Sequence, residues 1–126
     1  MKRLFTLLFL SVFLLSQTTM SGIEEVVSAL KVGNANQVAR YFDNTVDITL
    51  PEKSNSYSKS QAEMILKDFL ANNRVKSFTV KHRGDNAGSQ YCIGTLITTN
   101  GSYRTTVFMK QKADRQFLQD IRFEHE

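Results

Sequence analysis

In 126 residues there is one cysteine, one proline and two histidines, and each shortage closes off a class of protein. Cys92 has no partner for an intramolecular disulfide, so core packing has to hold the fold. His82, His125 and Cys92 fall short of the three or four ligands a metal site wants, and neither a metal nor a cofactor is expected. Charge of one sign is scarce too. The formal net charge is +4, and without Lys2 and Arg3 sixteen basic residues become fourteen against twelve acidic, a net of +2. The basic pairs Lys81/Arg83 and Lys110/Lys112 sit at strand spacing and read as solvated strand faces, so no nucleic-acid partner is expected. Repeats, low-complexity tracts and linkers are absent, which leaves one domain around one core.

The one long apolar run lies at the N-terminus. Lys2 and Arg3 precede LFTLLFLSVFLL (residues 4–15), and the polar, small-residue stretch SQTTMSG follows, the layout of a secretory signal. A run this short does not span a hydrocarbon core about 30 Å thick as a helix. Residues 1–21 are therefore expected to be a cleaved signal, cut just after Thr18 or Ser21, with membrane contact through that segment alone. Residues 22–126 form the domain, exported to the periplasm or beyond. No cysteine near the run offers a site for lipid attachment.

Beyond it, Ile23, Val26, Val27 and Leu30 fall at helical spacing and Gly33 ends that helix. Asn34 with Gln37 opens a second helix, carrying Ala35, Val38, Ala39, Tyr41 and Phe42. Val46, Ile48 and Leu50 alternate with Thr45, Asp47 and Thr49 as a strand that Pro51 stops. In LPEKSNSYSKSQAEMIL (residues 50–66) the second half carries two overlapping capping boxes, Ser58/Gln61 and Ser60/Glu63. Ala62, Ile65, Leu66, Phe69 and Leu70 then make one stripe of a third helix.

The remainder reads as four strands. VKSFTVKHR puts Phe78, Val80 and His82 on one face, GDNAG turns the chain, and Asn100-Gly101 is the strongest hairpin signal. A two-residue Asn100-Gly101 loop pairs Thr99 with Ser102, so paired residue numbers sum to 201. Cys92, Gly94, Leu96, Tyr103, Val107 and Met109 then share one face. Tyr91, Ile93, Ile97 and Phe108 share the other with Arg104 and Lys110, and Leu118 is a candidate to join them. A three-residue final loop pairing Lys112 with Gln116 brings Phe117, Ile121 and Phe123 beside Met109, Val107 and Thr105. A two-residue loop would set them against charged and polar partners. The Cys92–Val107–Ile121 face is thus the predicted core face, beneath the three helices.

Helices, a strand, a polar connection, a third helix and a four-stranded antiparallel meander define an α+β fold, with the helices packed on a curved, mainly antiparallel sheet. This order resembles the nuclear transport factor 2-like (cystatin-like) superfamily. YSKSQAEMILKDF (57–69), CIGTLITTNGSYR (92–104) and QDIRFE (119–124) are similar to a family of small secreted Bacteroidetes proteins of unknown function. That resemblance covers the mature chain and implies the cone-shaped fold and export. It supplies no catalytic residue. Catalytic members of the wider superfamily use an Asp or His deep in the cone, and no such motif is matched.

His82 is the candidate base, but a base needs an orienting partner, and alternation turns Asp47 and Asp120 away from the apolar faces. Cys92 reads as a buried, inert thiol. Asn100-Gly101-Ser102 is formally a glycosylation sequon, though the hairpin accounts for it. Tyr57, His82 and Tyr103 are the candidate ligand-binding residues. Tyr57 would act from a lid formed by PEKSNS across the cone's mouth. Tyr91, Ile93, Ile97 and Phe108 are the candidate interface, since an uncovered apolar patch of this kind marks a docking surface. Three functions compete. The first is an exported non-catalytic binding or interaction module for a small molecule or envelope protein, with a homodimer through the outer sheet face as one form. The second is a cone-pocket isomerase, lyase or hydrolase acting on a small apolar compound, with His82 or Asp47 as base and Tyr103 or Tyr57 as donor. The third is a structural component of the cell envelope. An interior filled by Phe42, Phe69 and Met109 would remove the second.

Overall fold

The computed structural model describes residues 21–126; the expected signal segment lies outside them except for its last residue, Ser21. Ser21 caps helix α1 (Gly22–Val32) by accepting the Glu24 amide, and Gly33 closes it at φ +70°, a conformation a side chain would strain. Its buried stripe of Ile23, Val26, Val27 and Leu30 follows the sequence period, joined by Ala29. Asn34 caps α2 (Ala35–Ala39), which is one turn long. Phe42, assigned by periodicity to that helix, instead begins strand β1 (Phe42–Leu50). PEKSNS supplies the turn and most of β2 (Lys53–Ser58), an edge strand antiparallel to β1. Of the two overlapping boxes, Ser58/Gln61 is the one formed; it starts α3 (Lys59–Asn72).

Strands β3 (Val75–Asn86), β4 (Ser89–Thr98), β5 (Gly101–Lys112) and β6 (Arg115–His125) form the antiparallel meander, and β1 joins β6 in parallel. The six-stranded sheet runs β2-β1-β6-β5-β4-β3. Helix α1 lies on β3 and β4, α3 on β1 and β2, and α2 bridges the two helices, so one sheet face is covered and the other bare.

Both hairpins depart from the expected register. Thr98 pairs with Gly101, so the β4–β5 loop is Thr99-Asn100 and paired numbers sum to 199 instead of 201. The Thr98 hydroxyl accepts the Asn100 amide and donates to the Gly101 carbonyl, while Gly101 takes the positive φ of +122°. A shift of two preserves parity, so every residue of the hairpin keeps its predicted face. The final loop has two residues, not three: Lys112 pairs with Arg115, and Ala113 takes φ +57°. Phe117 therefore opposes Lys110 on the bare face. A bulge beyond Leu118 then restores the expected pairing of Ile121 with Val107 and Phe123 with Thr105. Leu118, placed by alternation on the outer face, is fully buried against Met109. The Leu118 amide donates to the Tyr41 carbonyl at 2.6 Å, which holds the bulge where β6 meets the entry to β1.

Candidate functional site

The interior between helices and sheet is filled. Phe42, Leu66, Leu96, Met109, Leu118, Ile121 and Phe123 are fully buried, and Phe69 packs its ring 4.5 Å from that of Phe123. Cys92 sits in this core, opposite Val107 and through it Ile121, and burial pushes its thiol up to about 11. That is the inert thiol expected, since only a thiolate reacts. Phe42, Phe69 and Met109, the three side chains expected to close the interior, are all buried there.

The candidate base stands elsewhere. A β-bulge between Val80 and His82 flips His82 from the apolar face to the bare face, where it is exposed beside Ile93. Gly94, opposite Val80, makes room next to this bulge, for a Cβ there would lie 2.4 Å from the Thr79 carbonyl. Asp47 is on the bare face too, but on β1, with β6, β5 and β4 between it and β3. Strands about 4.8 Å apart put some 19 Å between the two, so neither can orient the other. Tyr57 faces the core opposite Val46, half-buried, and forms no lid. Among the described residues no three His, Cys, Asp or Glu side chains stand close enough to hold a metal, and no helix is long and apolar enough to cross a membrane.

Of the three candidate ligand residues, Tyr103 alone borders an open cleft. The β1–β2 turn (Leu50 to Lys53), the C-terminal half of α3 and the ends of β5 and β6 enclose about 360 Å³ at the mouth of the cone. Ile65 and Phe69 line its apolar side, Tyr103 and His125 its aromatic wall, and Glu52, Lys53, Asp68 and Asn73 its rim. The Tyr103 hydroxyl donates to Asn73 Oδ1 at 2.9 Å, and its ring stacks with His125 at 5.4 Å. Asn100 Nδ2 donates to the Asn72 carbonyl at 2.6 Å and to Asn73 Oδ1 at 3.2 Å. The hairpin turn thereby braces the end of α3. Asp68 went unnoticed in the sequence, and His125 was weighed there only as a metal ligand. The available signal was a carboxylate one turn from the end of α3 with no basic residue in the last turn, against the helix dipole.

The bare face divides in two. Across β3–β5 it is apolar: Tyr91 and Ile97 are 40% and 41% exposed, and Ile93 and Phe108 are half-buried beside them. The Tyr91 ring covers Gly84 on β3, where a Cβ would lie 1.9 Å from it. Across β6, β1 and β2 the same face is polar. Asp120 pairs with Arg122 at 3.2 Å and neighbours Asp47, which accepts from the Ser56 hydroxyl. The Asp120 carboxylate raises the Arg122 guanidinium further above its ordinary range. At the margin, Asp43 binds Lys112 at 2.6 Å, Gln119 Nε2 at 3.0 Å and its neighbour's amide. Those bonds, Lys112 first, hold its carboxyl down at about 2.

Helices covering one face of a curved, mixed six-stranded sheet define the nuclear transport factor 2-like fold. A protein of that class from Cytophaga hutchinsonii, of unknown function, superimposes with a TM-score of 0.60 over 87% of this chain and 95% of that one, at 8% identity. Residues 23–124 match the domain of unknown function DUF4783, and the chain belongs to that family. A family member from Bacteroides uniformis is 32% identical, with a TM-score of 0.79 over 82% of this chain and 95% of that one. One from Bacteroides ovatus is 29% identical, with 0.78 over 81% and 93%. Among curated proteins none matches the chain.

Proposed function

We propose that the protein is an exported, non-catalytic interaction module that pairs with a second copy of itself through the bare sheet face. The observation that carries the reading is the apolar cluster of Tyr91, Ile93, Ile97 and Phe108 on a face no helix covers. Export rests on the signal layout of residues 1–21. Area favours a partner that reaches past the apolar cluster onto β6. Strands of about ten residues spaced by about 4.8 Å give roughly 480 Å² over β3–β5 and about 640 Å² once β6 is added. Stable interfaces begin at about 600 Å² from each partner, so β6 has to take part.

Self-complementarity favours a second copy. A copy turned about an axis along β4 and β5 sets the apolar cluster of one on that of the other, and β3 of each, with His82 on its bare side, against β6 of the other, with Asp120 and Glu124 on its bare side. Sedimentation equilibrium on the mature protein tests this: wild type should show a concentration-dependent dimer, and Ile93→Glu a monomer of unchanged fold. A wild type that stays monomeric at high concentration would sink the proposal.

A further inference from the structure

Independently of the bare face, we infer that the cleft at the cone's mouth is a binding site for an organic cation, an ammonium or guanidinium group on a short apolar stem. Glu52 and Asp68 reach its rim from opposite sides, one on the β1–β2 turn and one on α3. Neither makes an ion pair or a side-chain hydrogen bond among the described residues, whereas Asp43 and Asp120 are both paired. With Lys53 the rim carries a formal charge of −1, and the C-terminus of the fourteen-residue α3 adds partial negative charge. Asp68 is misplaced for helix stability there, and a bound cation would relieve it. The apolar part of the site suits a stem rather than a bare ion: Leu50, Pro51, Ile65 and Phe69 line it, and His125 over Tyr103 closes one side with aromatic surface, which also attracts cations. A volume of about 360 Å³ lies at the small end of ligand pockets.

The cation has two sources, a free amine or guanidine, and an Arg or Lys side chain of a peptide. Amide chemical shifts of the full domain, titrated with butylguanidinium, its neutral isostere butylurea and the anion pentanoate, separate the chemistry. A capped Gly-Arg-Gly peptide then separates the sources, because tighter binding than butylguanidinium marks a peptide ligand and equal or weaker binding a free one. We expect saturable shifts with butylguanidinium at Asp68, Asn72, Tyr103 and His125, and none there with the other two small probes. Asp68→Asn should weaken binding about fivefold, the size of one exposed ionic contact. It should melt no lower than wild type, which separates lost binding from lost fold, and Glu52→Gln should show the same pattern. Ile93→Glu should bind the probe normally, so failure of the dimer and failure of this site are distinguishable. Equal binding of butylurea, preference for pentanoate, no saturable shift, or full binding by both carboxylate variants would overturn the inference.

Discussion

The two faces of the sheet are written by the same strands in alternating letters, yet they meet opposite fates. On the covered face Cys92, Leu96, Val107, Met109, Leu118, Ile121 and Phe123 lose all contact with water. On the bare face Tyr91 and Ile97 keep about two-fifths of theirs, and the residues give way to serine, threonine and charge toward β2. Apolar side chains on the covered face are explained by folding alone. Those on the bare face are not, since a sheet open to water needs no isoleucine, tyrosine and phenylalanine side by side.

If that contrast holds, substitutions should separate cleanly by face. The largest loss is expected at Leu118, the core residue that the bulge delivers: Leu118→Ala should cost about 3 kcal/mol in urea unfolding, through lost burial and the cavity left behind. If it costs no more than a bare-face change, the bulge is wrongly placed. Next comes Asp43, at the margin between the faces, where Asp43→Asn should cost about 1–2 kcal/mol by removing charge-assisted bonds. Because folding lowers the Asp43 pKa to about 2, its contribution is complete above the ordinary carboxylate range near 4 and fades as pH falls from there toward 2. The Asn variant should lack that part of the acid slope in stability measured against pH.

A smaller effect of opposite sign is expected at Ala87, held at φ +45° in the β3–β4 turn. Ala87→Asn should gain about 0.5 kcal/mol, as asparagine tolerates that conformation better. Smallest of all for folding is Ile93→Glu, which should leave unfolding within about 0.5 kcal/mol of wild type while abolishing association. A large loss of stability there would mean the bare face belongs to the monomer's own core.

Much of this was legible in the chain. The α1 stripe, the Gly33 and Asn34 caps, the Ser58/Gln61 box and the covered face of β4 and β5 all follow from local period and end chemistry, which neighbours in sequence determine. The bulges were harder. Leu118, Ile121 and Phe123 break strict alternation with one gap of three, and that gap is the bulge in β6, read instead as a longer loop. The bulge that exposes His82 left no such trace. It answers to the close approach of Gly94 on the next strand, a tertiary demand. The mouth cleft was invisible for a related reason: Glu52, Asp68, Tyr103 and His125 come from four elements that share nothing in sequence. LPEKSNSYSKSQAEMIL turns out to be one side of that cleft, an edge strand and a helix start, with Lys53 rather than Tyr57 at the opening.

The chain's four tyrosines allow the central claim to be tested without altering the surface itself. Tyr91 alone is exposed, while Tyr41 and Tyr57 are half-buried and Tyr103 is buried. Fluorotyrosine resonances broadened by a soluble paramagnet should show Tyr91 losing its accessibility as protein concentration rises, with the other three unchanged. A Tyr91 signal that stays equally broadened across the whole concentration range would contradict pairing through the bare face.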